Sequence, residues 1–304
     1  MSITYPNAFG SASTADALAF LKSPTLLARR FSEIIASRGF LAHRLLTGRW
    51  AMQGGALVYV PDEAVEADES PETIRPGGEY PLLELSEDAA VVIEALKKGF
   101  GTKVTDEKVG REQMDPIERA LAMLANKQIS EFDEMALGSI ASTVTESVTG
   151  TTWTGNPKTI VKNIEQAKAK IRGHRLGFNA DAVVVTDTQW ATIISEVLDL
   201  LPRESRNGVE SGNFVDALGV TWFHSPDLPS GWAPTVFDTA NLGGIGHESI
   251  PSQEYVAVAM ADGLPVEVAR YREKNDSTRI QVRKTDVPII RNPKAGCEIT
   301  GTGL

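Results

Sequence analysis

The chain has 304 residues, of which 42% are hydrophobic, so it is long enough to bury a substantial core and to form about two domains. Its 30 lysines and arginines are outnumbered by 40 aspartates and glutamates, which gives a formal net charge of -10 at pH 7. This balance argues against a dedicated nucleic-acid-binding protein, which carries a strongly basic face. Cys297 is the only cysteine, so an intrachain disulfide and a cysteine-based zinc site are both excluded, and a reducing compartment is expected.

The N-terminal part carries neither a targeting signal nor a membrane signal. Met1–Asn7 lacks the basic start and apolar core of a signal peptide, and the apolar run Ala89–Ile93 is far shorter than a bilayer span. We therefore expect a protein that is made and kept inside a cell. Residues 2–23 are small and polar and predict an extended or partly ordered arm. The spacing of apolar residues from Pro24 to Leu46 then predicts one or two short helices, broken near Gly39.

The most unusual segment is acidic and follows a strand-like run at Ala56–Val60. Residues 62–79 hold seven carboxylates against a single arginine, which is too polar a composition to pack on its own chain. A second extended run follows at Tyr80–Leu85 and again around Ala89–Leu96, so the region predicts a long two-stranded ribbon with an acidic tip. At about 3.3 Å per residue, such a ribbon projects on the order of 50 Å and is expected to contact a neighbouring subunit. The candidate assembly residues are Glu66, Asp68, Glu69, Glu72 and Arg75.

Two other interpretations of the acidic tip stay open. The carboxylates are also typical of a plain solvated charge run. A divalent-cation site is the third interpretation, although the spacing and the sixth-position glycine of a calcium loop are absent.

A long helix is predicted after the ribbon. Asp115 is placed at the N-cap, Pro116 at the first helical position and Glu118 three residues after the cap, as in a capping box. Apolar residues then recur at three- and four-residue spacing as far as Ile140, which predicts one amphipathic helix about 39 Å long. We call this element the spine helix. The stretch Ser142–Thr154, rich in threonine and serine, ends it and predicts a domain boundary.

Beyond this boundary, helices and strands alternate as in a compact α/β unit. The predicted order is a helix from Asn156 to Gly173, a buried strand at 182–186, a helix at 187–201, and strands at 219–224 and 234–238. The pattern then changes to period-two strands at 255–258, 266–270 and 279–283, which predict a sheet packed on the spine helix.

The sequence holds no clear catalytic or cofactor-binding constellation. Gly243–Gly246 lacks a following helix and a lysine–serine or lysine–threonine pair, so it predicts a flexible turn rather than a phosphate loop. The four histidines are far apart, and Pro251 stands where a second zinc-binding histidine would follow His247. Cys297 has no activating neighbour and is predicted to be a structural thiol. We therefore predict no catalytic residue, no cofactor, no metal site and no enzyme activity.

Taken in order, these elements resemble the major capsid proteins of tailed double-stranded DNA bacteriophages, which have the Hong Kong ninety-seven-like fold. The order of elements is more specific than any short motif, and the similarity covers most of the chain from about Gly54 onward. The residues that carry it are Val104–Glu107 before the spine helix, Ala182–Trp190 and Leu218–Gly231 in the α/β unit, and Arg279–Val287 and Asn292–Gly301 near the C-terminus.

The resemblance implies an α+β fold with four parts. These are an N-terminal arm with short helices at residues 1–53, an extended β-ribbon loop at 54–98, a peripheral domain with the spine helix at 99–154 and 255–304, and an axial α/β domain at 155–254.

The resemblance also implies a structural subunit that self-assembles into pentamers and hexamers of an icosahedral capsid, with each ribbon lying over a neighbour. Double-stranded DNA would be enclosed without sequence-specific binding. Portal, scaffolding or decoration proteins would be further partners, and no membrane is involved. The implied location is the virion capsid, after assembly in the host cell cytoplasm. Covalent cross-linking through a loop lysine, as in some members, is not expected, because no lysine lies between Trp50 and Lys97.

Two other functions stay open at this point. An encapsulin-type nanocompartment shell protein shares the fold, and the contents of the shell would distinguish it from a virus capsid. An α/β enzyme with an acidic lid is the second alternative. It would show turnover or exist as a monomer in solution.

Overall fold

The computed structural model describes residues 13–60, 90–198, 219–260 and 263–304. Helices in these ranges are α1 (Thr14–Lys22), α2 (Pro24–Arg38), α3 (Leu41–Leu45), α4 (Asp106–Glu112), α5 (Asp115–Thr143), α6 (Pro157–Gly173) and α7 (Asp187–Leu198). Strands are β1 (Gly48–Ala51), β2 (Ala56–Tyr59), β3 (Val91–Glu94), β4 (Lys97–Thr105), β5 (Ser147–Thr149), β6 (Ala182–Thr186), β7 (Thr221–Ser225), β8 (Thr235–Phe237), β9 (Gly243–His247), β10 (Tyr255–Ala259), β11 (Pro265–Arg272), β12 (Ser277–Ile290) and β13 (Gly296–Thr300).

The strands form two large sheets and a two-stranded ribbon. The first sheet has the order β1-β9-β12-β11-β10, and β4 also pairs with β12. Strand β12 is the longest and pairs antiparallel with β4 along Ser277–Thr285 and with β9 along Asp286–Ile290. The second sheet has the order β5-β13-β8-β6-β7, and the ribbon is β2 with β3. Helices and sheets are combined as the predicted α+β class requires.

Helix α5 is the predicted spine helix. It has 29 residues and is therefore about 43 Å long at 1.5 Å per residue. One face packs on β4 and β12, and α2 also packs against the helix. The buried residues recur at the predicted spacing and are Pro116, Ile117, Ala120, Leu121, Leu124, Ala125, Gln128, Phe132, Asp133, Ala136, Leu137 and Ile140.

The predicted start of this helix is wrong in detail. Met114 is the N-cap, and Asp115 is already helical. The short helix α4 ends just before it, and Gln113 turns the chain between the two helices with φ 58°. Glu118 makes no capping box. It accepts a hydrogen bond from Nε of Arg30 at 2.9 Å and so ties α2 to the spine helix.

The N-terminal segment is more ordered than predicted. Residues 14–22 form α1, whereas an extended arm was expected for residues 2–23, and residues 1–12 lie outside the described ranges. Ser13 and Asp16 form the capping box of this helix: the backbone N–H of Asp16 donates to Oγ of Ser13 at 3.3 Å, and the N–H of Ser13 donates to Asp16 at 3.0 Å. Phe20 and Leu21 are buried, so α1 belongs to the core.

Gly243–Gly246 forms a strand rather than the predicted flexible turn. β9 lies between β1, with which it pairs parallel, and β12, with which it pairs antiparallel. A Cβ atom on Gly243 would lie 2.1 Å from the carbonyl oxygen of Ile289, and one on Gly244 would lie 2.4 Å from that of Gly48. The neighbouring backbones approach too closely for any side chain at these positions. This approach explains why they are glycines, and no bound ligand is needed to explain them.

Two short strands pair with strands outside their own predicted domain ranges. β13 lies between β5 and β8 in the second sheet, although Asn292–Gly301 was expected to close the sheet of the spine helix. β9 lies in the first sheet, although its residues fall in the predicted axial range. A strand of five residues carries no local signal for the sheet that it joins. The division into arm, loop, peripheral and axial parts stays a prediction.

Leu121→Asp is expected to prevent folding, whereas Met123→Asp on the same helix is expected to leave the subunit folded. Leu121 is fully buried, but Met123 is 54% exposed. A buried unpaired charge costs several kcal/mol, which is comparable with the roughly 5–15 kcal/mol stability of a typical domain. Phe132→Asp, at another buried position, should behave like Leu121→Asp. Soluble yield and far-ultraviolet circular dichroism measure the effect, and a folded Leu121→Asp variant would show that the buried face is misassigned.

Candidate functional site

The base of the ribbon is attached to one end of the first sheet. β2 and β3 pair antiparallel, with Ala56 opposite Glu94 and Tyr59 opposite Val91. Alternate residues of a strand point to opposite sides, and one side of the ribbon packs on the sheet. The packed ribbon residues are Leu57, Tyr59, Ile93 and Ala95, and they contact Met52, Val287 and Ile289.

The opposite side of the ribbon is apolar and exposed. Val58 and Val92 face each other across the two strands and are each 62% exposed, and Val60 is 47% exposed. Of the seven large hydrophobic side chains that are exposed among the described residues, five lie on or beside the ribbon. Such a concentration of exposed apolar surface is typical of an interaction site.

The acidic tip cannot be placed on this framework. Glu66, Asp68, Glu69, Glu72 and Arg75 lie outside the described residues, so their part in assembly stays a prediction. The strands predicted at Ala56–Val60 and about Ala89–Leu96 are confirmed by β2 and β3, and the run predicted at Tyr80–Leu85 lies outside the described residues.

A buried lysine joins the first sheet to the N-terminal helices. Nζ of Lys284, on β12, donates to Nε2 of His43 at 2.9 Å and lies 2.7 Å from Oδ2 of Asp286. The rings of Phe40 and Phe132 flank it, each with its centroid 4.4 Å from Nζ. The carboxylate, the imidazole and the two π faces offset the cost of removing an ammonium from water. This junction fixes α3, α5 and β12 relative to one another.

Asp133 lies on the spine helix and stabilises the same junction. Its carboxylate accepts backbone hydrogen bonds from Leu41 at 3.0 Å and Ala42 at 2.9 Å, the first two residues of α3. Burial raises the pKa of Asp133 from 3.8 to about 6, against the opposing effect of these two hydrogen bonds. The nearby charge of Asp227 raises the pKa further, and Lys284 lowers it.

Other reactive groups are part of the packing. Cys297 is fully buried, and burial raises the pKa of its thiol to about 11, as expected for an inert structural thiol. Nδ1 of His224 lies 2.7 Å from a carboxylate oxygen of Asp187, and its ring stacks on Trp190. In residues 13–60, 90–198, 219–260 and 263–304, no cluster of three or more histidine, cysteine, aspartate or glutamate side chains could hold a metal ion. None of the helices in those ranges has the length and apolar character needed to cross a membrane.

Comparison with known proteins decides the family. The model of a family described as phage capsid protein matches residues 88–299, which is more than half of the chain. The chain belongs to this phage capsid protein family. No protein with a curated function matches the sequence of this capsid protein.

Solved structures share the fold of the capsid protein at low sequence identity. The virus-like particle from Pyrococcus furiosus has a TM-score of 0.57 and 12% identity, covering 90% of this chain and 97% of the other. The capsid of cyanophage P-SCSP1u has a TM-score of 0.57 and 12% identity, covering 88% and 89%. The capsid of Myoviridae phage XM1 has a TM-score of 0.53 and 12% identity, covering 86% and 91%. The Hong Kong ninety-seven-like capsid fold predicted from the sequence is thereby confirmed.

Two features of the capsid protein were not predicted from its sequence. The exposed valines could have been found, because consecutive Val91 and Val92 in a strand place an apolar side chain on both faces. Lys284 left no such signal, because Arg283, Thr285 and Asp286 stand beside it and make this part of the sequence look solvated. Its partner His43 lies 241 positions away, and no sequence pattern links the two.

Replacing Asp133 by Asn is expected to change the pH dependence of the free energy of unfolding. The folded-state pKa of Asp133, about 6, lies above its unfolded value of 3.8. The stabilisation from this group is therefore complete below pH 3.8 and is lost as the pH rises through 6. As the pH rises from about 4 to 7.5, the free energy of unfolding of Asp133→Asn minus that of the wild type should increase by up to ~3 kcal/mol.

Urea unfolding of the unassembled subunit at several pH values measures this shift. Asp106→Asn is the control, because hydrogen bonding to Arg272 lowers the pKa of Asp106 below 3.8. Its stability difference should be flat across the same window. A flat difference for Asp133→Asn as well would mean that the carboxylate is less buried than the structure shows.

Proposed function

We propose that this capsid protein is the structural subunit of an icosahedral phage capsid and self-assembles into pentamers and hexamers that enclose double-stranded DNA. The exposed valine side of the ribbon is the observation that carries the proposal. An apolar surface of this kind is stabilised when another protein covers it. A ribbon that docks on a different surface of the next subunit makes a head-to-tail contact, and such contacts form a ring when the rotation from one copy to the next closes.

The two sheets are proposed to have different roles in the subunit. We assign the peripheral role to the first sheet with α5 and the axial role to the second sheet with α6 and α7. Relative to the ranges predicted from the sequence, β5 and β13 then move to the axial part and β9 moves to the peripheral part. Residues 54–98 keep the role of the extended loop.

The chemistry of the chain fits a shell rather than an enzyme. Membership of the phage capsid protein family points to a structural role. The net charge of -10 disfavours tight binding of DNA by each subunit, as expected for DNA that is enclosed without sequence-specific contacts. The main partner is the chain itself, with portal, scaffolding or decoration proteins as further partners. The proposed location is the virion capsid, assembled in the host cytoplasm.

Electron microscopy of the purified protein after size-exclusion chromatography tests this function. Uniform closed particles with pentameric and hexameric units are the expected result. Their contents then distinguish a virus capsid, which holds DNA, from an encapsulin-type compartment, which holds protein cargo. A homogeneous monomer under all conditions tried, or a measurable turnover, would contradict the proposal and favour an enzyme with an acidic lid.

Replacing Glu66, Asp68, Glu69 and Glu72 together by Ser or Lys is expected to impair assembly while the subunit stays folded. The reason is that the acidic tip is proposed to bind a basic patch of a neighbour rather than the core of its own chain. Particle yield and circular dichroism are the two readouts. Glu33→Lys with Glu134→Lys, at exposed helix positions, changes the net charge by the same amount as the four-serine variant and controls for net charge alone. Unchanged particle yield in the tip variant would show that the acidic tip is not needed for contact with a neighbouring subunit.

Replacing Val58 and Val92 by Thr is expected to reduce particle yield without unfolding the subunit. Threonine keeps the β-branched shape that suits a strand, but it replaces a methyl group by a hydroxyl group. Each lost apolar contact costs on the order of 1 kcal/mol, and the loss recurs at every subunit contact. Full yield of the double variant at low protein concentration would show that the valine side faces solvent in the particle.

A further inference from the structure

The N-terminal helices form a basic layer on an acidic protein. Residues 13–49 hold six lysines and arginines against two carboxylates, a local net charge of +4, whereas the whole chain carries -10. We call this segment, which contains α1, α2 and α3, the basic layer. A concentration of one sign of charge in a chain of the opposite sign is typical of a surface that binds a charged partner.

Both carboxylates of the basic layer are engaged within it. Asp16 forms the capping box of α1, and Glu33 lies 3.0 Å from the guanidinium of Arg30. Four of the cations are exposed and make no ion pair within the part of the chain that the structure describes. They are Lys22, Arg29, Arg38 and Arg44. Their charge is therefore available to a partner.

Two of these cations line one cleft. The cleft has a volume of about 450 Å³ and lies between the basic layer, the spine helix and strand β7 of the second sheet. Gly39 ends α2 with φ 72° and turns the chain, and both Arg38 before it and Arg44 after it line the cleft. Guanidinium groups bind phosphate oxygens through two parallel hydrogen bonds. A pair of arginines at one cleft therefore suits a phosphate.

The carboxylates in the lining of the cleft already have donors. The carboxylate of Asp133 accepts two backbone hydrogen bonds from the start of α3. Oδ1 of Asp227 accepts a hydrogen bond from Oγ of Ser130 at 2.6 Å. Asp133 is buried, whereas Arg38 and Arg44 are exposed. An anion from solvent can therefore reach the two arginines at the rim without displacing either carboxylate from its donors.

The exposed surface of the basic layer favours a nucleic acid over a protein. None of the large hydrophobic side chains that are exposed among the described residues lies in residues 13–49. Protein interfaces are enriched in apolar and aromatic side chains at their centre, whereas contacts with the DNA backbone use mainly charged and polar groups. The ribbon, whose exposed side chains are valines, belongs to the first kind of surface, and the basic layer belongs to the second.

We propose that the basic layer contacts the phosphate backbone of the enclosed DNA and that Arg38 and Arg44 together hold one phosphate at the cleft. The inference rests on the proposed capsid function and names the surface of each subunit that faces the contents of the shell. Backbone contacts carry no sequence information, so the proposal agrees with enclosure without sequence-specific binding. A contact with few phosphates per subunit is weak and depends steeply on salt.

Binding of a fluorescent DNA duplex of random sequence to the purified protein tests this contact. Arg38→Gln with Arg44→Gln is expected to lower the affinity about tenfold at about 50 mM salt. The slope of log affinity against log salt should fall by about 0.9, the value for one lost phosphate contact. Lys158→Gln with Lys162→Gln is the matched control, because these two lysines of α6 are also exposed and the change removes the same charge. It should lower the affinity less than about threefold.

The outcomes of this measurement decide between possible occupants. Equal losses in the two double variants, or no binding of the duplex by the wild type at about 25 mM salt, would show that the cleft is not a DNA contact. Polyglutamate that displaces the duplex at an equal or lower concentration of charge would identify an acidic protein as the occupant. Binding of inorganic phosphate without binding of the duplex would identify a free anion. Either of these last two results overturns the assignment to DNA.

Cysteine labelling tests on which side of the shell the basic layer lies. Ser37→Cys places an exposed thiol next to Arg38, and native Cys297 is buried. In particles assembled from the purified protein, we expect this thiol to react with a small maleimide but not with a maleimide on a polymer too large to enter the shell. Dissociated particles should react with both reagents.

Two labelling results would contradict the inference. Reaction with the large reagent in intact particles would place the basic layer on the outside of the shell, and protection from both reagents would place it in a subunit interface. If the wild-type chain forms no particles, the capsid function itself fails. The duplex measurement, which needs no particles, then still decides whether DNA binds at the cleft.

Discussion

Strand β12 is the constraint on which the rest of the first sheet depends. Its 14 residues span about 48 Å, and it pairs with β4 and β9 along successive parts and with β11 on its other side. The spine helix, of nearly the same length, packs along it. The ribbon is attached near the C-terminal end of β12, and β4 pairs with its N-terminal part. One continuous strand therefore sets the position of the ribbon base relative to β4 and the spine helix.

Buried and partly buried charges fix the N-terminal helices to this framework. Arg30 pairs with Glu118, Asp133 accepts the first N–H groups of α3, and Lys284 binds His43. Buried ionic groups add little net stability, but removing one partner is costly, so they favour one arrangement of the elements over others. Three such links between residues 13–46 and the rest of the chain explain why this segment is a docked helical unit and not a free arm.

Elements with a strong local period could be predicted from the sequence. The apolar stripe of the spine helix, the stripe of α6 and the strands β6, β11 and β12 all lie close to their predicted positions. Strand β4 was not predicted. Residues 98, 100, 102 and 104 alternate in burial with the residues between them, but Gly99 and Gly101 weaken the strand signal in the sequence. The predicted N-cap at Asp115 is wrong because α4 ends directly before the spine helix. Where one helix ends and the next begins here depends on the fold and not on the local sequence.

Other features could not be predicted because they arise only when distant segments meet. The glycines of β9 are required by backbones more than 40 residues away on one side and nearly 200 on the other, so the local sequence looked like a turn. The same limit applies to the cavity between β4 and the spine helix: Val104 and Met123 line it together only after the sheet and the helix have packed.

Charge distribution connects the subunit to the shell. Subunits of net charge -10 repel one another at long range, but at physiological salt the Debye length is only about 8 Å, so most of that repulsion between subunits is screened. Short contacts within a subunit interface are screened less, and burial of exposed valines such as Val58 and Val92 does not depend on salt in the same way. Local complementarity can then outweigh global repulsion. A net charge of -10 is compatible with the proposed enclosure of DNA, because enclosed DNA does not have to be bound tightly by each subunit.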